Sequence, residues 1–195
     1  KGFLSEASLE CTNHGVQIFG GHGFIREWGQ EQHCRDTRIT AIYEGTTGIQ
    51  GLDLLGRKVL ATRGKALEPF FAMIEKFCAE NKKNDMAKQV KAKRDEWEKL
   101  TRGIGMKAMT NPDEVNAAAV DYLMFGGYVT LAYFWARSAV VAQQKLDEGT
   151  NEEAFYKAKI STANFYFQRM LPRTATHVAC INAGADSLMT VTEEQ

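Results

Sequence analysis

The side chain of Glu44 has the strongest case for chemistry in this sequence. It lies in the segment Ala41-Ile-Tyr-Glu-Gly-Thr-Thr-Gly-Ile-Gln50, beside two apolar residues and just before a predicted helix. An apolar setting raises the pKa of a carboxylic acid towards neutrality, where it can act as a general base. The same position suits a capping carboxylate that interacts with the helix dipole. The local sequence favours the cap and leaves both roles open.

A second candidate is the glycine-rich segment Gln17-Ile-Phe-Gly-Gly-His-Gly-Phe24. Bare backbone amides in such a segment can approach a phosphate closely. It is neither a Walker loop, since no Gly-Lys-Ser/Thr follows, nor a dinucleotide fingerprint, since no predicted strand precedes it. The spacing alone favours a tight turn that ends a helix. His22 then has either an exposed ring or a phosphate neighbour.

Charge and cysteine content narrow the classes of function. The 24 basic and 24 acidic residues cancel, so there is no basic excess for nucleic acid or an anionic membrane. The four cysteines lack the spacing of a zinc site or a disulfide framework. We therefore expect isolated thiols, no metal site and a cytoplasmic location. No signal peptide is visible, and the first residues already follow a helical pattern, so we expect a piece of a longer protein.

Apolar residues at helical spacing predict an all-α fold, since no sustained alternation of period two predicts a strand. A cap at Thr46 or Thr47 should begin one helix, Gly149 should end another, and Pro172 should kink or split the last. Pro112 should lie near the start of a helix. The predicted helices cover residues 3–19, 28–42, a stretch after Thr47, 66–80, 85–110, 113–147 and 152–182. The last four should form an antiparallel four-helix bundle.

The composition divides the chain into two regions. Eleven of the 17 glycines lie in residues 1–64, and the remainder of the chain is poor in glycine. Residues 122–136 carry no charge, but this run is shorter than the roughly 20 residues that span a membrane. We interpret it as the central helix of a bundle and expect no transmembrane segment.

Three motifs together resemble the C-terminal helical domain of the acyl-CoA dehydrogenases. They are the glycine-rich segment above, Cys34-Arg-Asp-Thr-Arg-Ile39, and Ile42-Tyr-Glu-Gly-Thr46 with Ile49-Gln50, in the order and near the spacing of that family. The following Gly51-Leu-Asp-Leu-Leu-Gly-Arg-Lys-Val59 and the helical tail resemble a long branch of the family, similar to methylthiopropionyl-CoA dehydrogenase. The resemblance implies that residues 1–61 end the dehydrogenase core and that residues 62–195 form a helical C-terminal extension.

The resemblance also implies roles for single residues. Glu44 matches the base that removes the α-proton of an acyl-CoA thioester while a hydride passes to FAD, and its backbone N–H helps to polarise the thioester carbonyl. Gln17, Gly20 and Gly21 match positions that contact the FAD pyrophosphate, which in the family usually belongs to a neighbouring subunit. Thr46 matches a contact to the flavin. Tyr43 and Gly45 match contacts to the substrate. Gly48 departs from the family, where Gln or Glu is common. Arg35 and Asp36 match a pair that we interpret as a structural ion pair.

The implied partners are an acyl-CoA substrate, an electron-transfer flavoprotein and further copies of the chain in a homo-oligomer. The family's N-terminal helical domain and middle β-domain supply most flavin contacts, so we expect the isolated 195 residues to be inactive. Two alternatives stay open. In the first, residues 62–195 are a non-catalytic oligomerisation or interaction module. In the second, the chain is part of an acyl-CoA oxidase, which uses the same base and flavin but passes electrons to oxygen.

Overall fold

A computed structural model gives the fold and describes residues 1–188 and 190. Within these residues there are helices and turns but no strand, so the predicted all-α class is confirmed. The helices are α1 (Gly2–Phe19), α2 (Gly21–Phe24), α3 (Gln30–Arg38), α4 (Thr47–Leu52), α5 (Glu68–Glu80), α6 (Asp85–Ala108), α7 (Asp113–Glu148), α8 (Glu153–Phe165) and α9 (Thr174–Ala183). The predicted extension, residues 62–195, reaches beyond the described residues at 189 and 191–195.

Irregular helical segments join several of these helices. Helix α4 continues as a π-helix, Asp53–Leu60, and α8 passes through a π-helix, Tyr166–Met170, into a 3₁₀ turn, Leu171–Arg173. The last predicted helix is therefore split around Pro172, as expected for a residue that lacks an N–H. Further 3₁₀ turns occupy Arg26–Trp28, Ile39–Ala41, Lys65–Leu67 and Asp186–Leu188.

Local capping chemistry sets several helix ends. The Thr46 hydroxyl accepts a hydrogen bond from the backbone N–H of Ile49 and so begins α4, as predicted. Gly149 follows the last residue of α7 with φ of 82°, also as predicted. The predicted helix over residues 28–42 is wrong at both ends. Gly29 adopts φ of 71° and interrupts the chain there, and the helix tightens into a 3₁₀ turn after Arg38.

The central element is α7, and α6 and α8 run antiparallel to it. The Thr101 hydroxyl of α6 lies 2.6 Å from the Tyr122 hydroxyl of α7, and farther along α7 the Tyr128 carbonyl accepts from Tyr166 at 2.8 Å. Helix α5 pairs with α6 in the same sense, since the thiol of Cys78 lies 3.2 Å from the carbonyl oxygen of Ala87 while Glu75, earlier in α5, lies 3.5 Å from Lys91, later in α6. The predicted antiparallel bundle is thus confirmed, with α8 and α9 together serving as its last member.

Both regions contribute to the same core. Phe3 of α1 packs edge-on against Tyr128 of α7, with ring centroids 5.1 Å apart. Leu55 and Val59, which follow α4, are fully buried in a cluster with Trp97 and other residues of the bundle. Residues from both sides of the predicted division near residue 61 therefore pack together, and the division itself stays a prediction.

Helix α7 is long and apolar enough, by length and composition alone, to cross a membrane. Half of its most apolar 18-residue window is nevertheless buried inside the protein. Tyr122, Phe125 and Val129 on this helix have no exposed surface. Such burial is typical of the core helix of a bundle, which is the interpretation favoured by the sequence.

Glycines on α6 and α7 offer a matched test of close helix packing. A Cβ atom at Gly126 would lie 2.5 Å from the ring of Trp97, which is itself enclosed by Phe71, Tyr122 and Phe125. At Gly103 nothing lies within 4 Å. We expect Gly126→Ala to destabilise the protein, because overpacking costs about 1–3 kcal/mol and outweighs the gain in helix propensity. Gly103→Ala should stabilise it by about 0.5–1 kcal/mol. Urea unfolding measures both, and equal effects would contradict this packing.

The buried Tyr122 predicts a loss of stability in alkali. Burial raises the pKa of Tyr122 from 10.0 to about 12, although its hydrogen bond with Thr101 acts in the opposite direction. Below pH 10 the hydroxyl is protonated in both folded and unfolded chains. Between pH 10 and 12 only the unfolded chain ionises, so the free energy of unfolding should fall by roughly 3 kcal/mol. Urea unfolding at several pH values should show a smaller fall in Tyr122→Phe, and equal falls would contradict the assignment.

Candidate catalytic and cofactor-binding site

The loop that carries Glu44 has an unusual backbone. Glu44 adopts φ of 54° and Gly45 follows with φ of 91°, so two successive residues are left-handed. For a residue with a side chain, this conformation costs roughly 1–2 kcal/mol. Strained residues of this kind cluster at active sites and ligand clamps, where surrounding contacts hold them in place. Arg63 and Gly64 show the same pair of positive φ angles, so it is the strain together with the motif around Glu44 that makes this loop a candidate site.

Contacts from α1 and α4 hold the loop in this shape. The side-chain amide of Gln50 donates to the carbonyl oxygen of Glu44 at 3.0 Å, and the Lys1 ammonium donates to the carbonyl oxygen of Gly45 at 2.6 Å. The Thr47 hydroxyl donates to the carboxylate of Glu6 on α1. Both carbonyls of the left-handed pair therefore have side-chain partners, which compensates the strain.

The side chain of Glu44 is exposed in this structure. The described residues by themselves therefore do not enclose it in the apolar setting that the sequence suggested. The predicted apolar neighbours do flank it, but Ile42, Tyr43 and Ile49 are each about half exposed. No residue of the described part of the chain hydrogen-bonds the Glu44 carboxylate or its backbone N–H. An apolar enclosure for this carboxylate requires surfaces other than those of the described residues.

The glycine-rich segment forms a tight turn between α1 and α2. Gly20 adopts φ of 62° and ψ of −139°, a conformation open in practice to glycine alone, and Gly23 donates to its carbonyl oxygen at 3.0 Å. A Cβ atom at Gly20 or Gly21 would meet nothing within 4 Å, and the Gln17 side chain is exposed. The turn therefore presents bare backbone to its surroundings. The exposed His22 ring packs edge-on against Trp28, with centroids 4.9 Å apart.

The structure does not bring the two candidate motifs together. The Glu44 loop lies at the start of α1, where Ser5 donates to the carbonyl oxygen of Thr40 at 3.2 Å. The glycine turn lies at the other end of this 18-residue helix. At 1.5 Å per residue the two ends are about 27 Å apart. Tyr43, Gly45 and Thr46 group with Glu44, whereas Gln17, Gly20 and Gly21 form a separate surface.

The predicted ion pair of Arg35 and Asp36 does not form. Adjacent residues on a helix point in different directions, and Asp36 instead accepts a hydrogen bond from Gln32 at 2.6 Å. Sequence reasoning also missed the role of Gln50, although this residue lies in the recognised motif. Its contact runs back six residues through a left-handed turn, and only the glycine at position 45 hinted at such a turn.

Comparisons with known proteins bear on these motifs. Residues 70–192 match the family model described as Acetyl-CoA dehydrogenase C-terminal like, and residues 1–60 match that of the Acyl-CoA dehydrogenase, C-terminal domain. The chain belongs to the acyl-CoA dehydrogenase family. The resemblance seen in the motifs is thereby confirmed, including the helical extension that follows the dehydrogenase core.

Similar acyl-CoA dehydrogenases extend well beyond this chain. It is 38% identical to 3-methylmercaptopropionyl-CoA dehydrogenase of Ruegeria pomeroyi over an alignment of 195 residues. This alignment covers 97% of the chain and 33% of that protein. It is 31% identical to the broad-specificity linear acyl-CoA dehydrogenase FadE5 of Mycobacterium tuberculosis, over 88% of the chain and 30% of that protein. The bovine mitochondrial short-chain specific acyl-CoA dehydrogenase is 46% identical over 59 residues, which are 30% of the chain and 14% of that enzyme. The chain thus spans about a third of its long relatives.

The geometry of the Glu44 loop predicts a strict need for glycine at position 45. A Cβ atom there would lie 2.8 Å from the amide nitrogen of Gln50 and would face the strain of a positive φ. We expect Gly45→Ala to lower the free energy of unfolding by at least about 1–2 kcal/mol and to speed hydrogen exchange in residues 42–50. Gly48→Ala is the matched control, since its nearest neighbour is the Thr46 hydroxyl at 4.0 Å. Similar exchange in the two variants would contradict the assigned strain.

Proposed function

We propose that this chain is the C-terminal part of an FAD-dependent enzyme that desaturates an acyl-CoA thioester between its α- and β-carbons, with Glu44 as the base. One observation carries the proposal. The backbone of Glu44 is held in a strained left-handed conformation by a hydrogen bond from Gln50 to its carbonyl oxygen, while its carboxylate has no partner among the described residues. A carboxylate that is fixed by its backbone and left free at its tip is suited to take a proton from a bound molecule.

The acyl-CoA dehydrogenase family supplies the reaction for this base. The carboxylate of Glu44 takes a proton from the α-carbon of the acyl group, and its backbone N–H, which lacks a partner among the described residues, donates to the thioester oxygen as negative charge develops there. FAD, when bound, accepts the hydride that leaves the β-carbon. Tyr43 and Gly45 flank Glu44 in the chain, and their proposed role is to contact the acyl group.

Residues near the base also fit a flavin. The Thr46 hydroxyl accepts from the helix backbone, and its own O–H remains available to donate to the cofactor. Ile42 and Ile49 are about half exposed beside it, so an aromatic ring system can remove their apolar surface from water. Gly48 presents no side chain, in contrast to the Gln or Glu that is common in the family.

The glycine turn fits the pyrophosphate of a different FAD molecule. Its bare backbone at Gly20 and Gly21, with Gln17 nearby, suits close approach by phosphate oxygens. Because this turn lies about 27 Å from the Glu44 loop, we propose that it serves the cofactor of a neighbouring copy in a homo-oligomer. Ile18 and Phe24 beside the turn are 83% and 79% exposed, as expected of a surface that another subunit covers.

We further propose an electron-transfer flavoprotein as the electron acceptor and the cytoplasm as the location. The acceptor follows from the family, and the four free cysteines fit a reducing compartment. A dehydrogenase is preferred over an oxidase because the relatives that share the extension are named dehydrogenases. The isolated 195 residues are proposed to be inactive, since the family's other two domains supply most contacts to the flavin.

The assignment of the base predicts the effect of one substitution in the full-length enzyme. Glu44→Gln keeps the shape of the side chain but cannot take a proton, so we expect the rate of flavin reduction by acyl-CoA to fall about 10²–10⁴-fold. The loss of oxidised-flavin absorbance after anaerobic mixing measures this rate. Glu80→Gln, at the exposed end of α5, is the matched control and should reduce at the parental rate. Fast reduction in Glu44→Gln would remove Glu44 from its role.

A further inference from the structure

We propose that Gln50 is a positioning residue for the base, and that the C-terminal extension acts through it by fixing α4 against α7. This inference rests on the proposed role of Glu44. It gives the extension a part in the chemistry without any reactive group of its own. The path has three steps, from the backbone of Glu44 to Gln50, from Gln50 to α4, and from α4 to α7.

The first step is the hydrogen bond between Gln50 and Glu44. The Glu44 carboxylate has no hydrogen-bond partner among the described residues, so its position depends on the backbone that carries it. That backbone is left-handed, and the amide of Gln50 donates to its carbonyl oxygen at 3.0 Å. The Lys1 ammonium holds the next carbonyl, that of Gly45, but from an exposed side chain. Gln50 is half-buried and is therefore the better-anchored of the two.

The second step fixes Gln50 itself. Its backbone N–H donates to the carbonyl oxygen of Thr46 at 2.9 Å, which places it in the first turn of α4. Its Cβ lies against the start of α1, only 3.2 Å from where a Cβ of Gly2 would be. The side-chain amide is thus aimed at the Glu44 carbonyl by a helix on one side and by α1 on the other. Any shift of α4 moves this amide.

The third step fixes α4 on the extension. A Cβ atom at Gly51 would lie 2.7 Å from the carbonyl oxygen of Ala119, so the backbones of α4 and α7 are in direct contact. One and two turns farther along, Leu55 and Val59 are buried in the core that the extension builds. Gly2 meets α7 as well, since its Cβ would lie 2.7 Å from a methyl group of Leu123. The extension therefore holds both elements that hold Gln50.

This arrangement has a consequence for the rate of reaction. A misplacement of a catalytic group by about 1 Å can cost on the order of 10²-fold in rate, even when its cause lies away from the reacting atoms. The carbonyl of Ala119 lies on α7, opposite the residue that follows Gln50 in the chain. A displacement at this contact passes along α4 to the Glu44 carbonyl with few side chains in between.

The direct test removes the donor from Gln50 in the full-length enzyme. Gln50→Met keeps the length of the side chain but cannot donate to Glu44. We expect the limiting rate of flavin reduction at saturating acyl-CoA to fall about 10-fold, with the acyl-CoA concentration for half-maximal rate changed less than 2-fold. A merely structural role would alter FAD content or stability without this split between rate and affinity. A parental limiting rate in Gln50→Met would overturn the proposal.

A second pair of variants tests the extension's part in it. Gly51→Ala forces α4 away from the Ala119 carbonyl, whereas Gly56→Ala, five residues farther along the same helical segment, meets only a methyl group of Val115 at 3.8 Å. We expect the limiting rate to fall 3-fold or more in Gly51→Ala and to stay parental in Gly56→Ala. Equal rates in the two variants would overturn the role of the extension. If Gly51→Ala fails to fold, Gln50→Met still decides the positioning role.

Glu44→Gln in the same preparation separates this inference from the proposed function. If Glu44→Gln loses flavin reduction and Gln50→Met keeps it, the base stands and the positioning role of Gln50 is overturned. If Glu44→Gln reduces its flavin at the parental rate, the proposed function fails, and the inference fails with it.

Discussion

The 36-residue helix α7 buries twelve of its residues, and these need cover from several neighbouring helices. Helix α6 covers one side, and α8 with α9 covers another. A further side is covered by α1 and α4, which precede and follow the Glu44 loop in the chain and contact α7 through Phe3 and Gly51. The need to bury α7 therefore joins the glycine-rich and glycine-poor regions into one packed structure.

Small residues make this packing close. Glycines 126 and 127 of α7 receive the rings of Trp97 and Phe3, and a side chain at either glycine would overlap the ring. Glycines 2 and 51 bring α1 and α4 to α7 in the same way. Part of the glycine excess near the start of the chain thus serves contact with the extension. Four others, Gly20, Gly29, Gly45 and Gly64, adopt backbone conformations with positive φ.

Local features were predictable because local forces decide them. The Thr46 cap, the end of α7 at Gly149 and the break at Pro172 follow from hydrogen bonding and backbone sterics within a few residues. The motifs also identified the glutamate loop and the glycine turn as the places of interest. The sequence did not reveal that Glu44 is left-handed, since a glutamate gives no sign of positive φ. The exposure of Glu44 depends on which surfaces surround it, and adjacent residues in the chain do not determine that.

Helices α1 and α4 form a layer with two different faces. The inner face packs on α7 and includes Phe3 and Leu55, which are buried. The outer face exposes Leu4 of α1 and Ile49 of α4, at 62% and 56% of their surface, and Ile42 of the Glu44 loop is 48% exposed. A layer one helix thick can transmit a displacement from one face to the other, because each of its backbones contacts both. Glu44 therefore lies on a loop whose supporting residue, Gln50, is adjacent in the chain to the residue that contacts α7, Gly51. The contact of Gly51 with α7 and the hydrogen bond from Gln50 to the Glu44 carbonyl oxygen belong to neighbouring residues of one helix, so the packing of α4 on α7 and the shape of the Glu44 loop are coupled through α4.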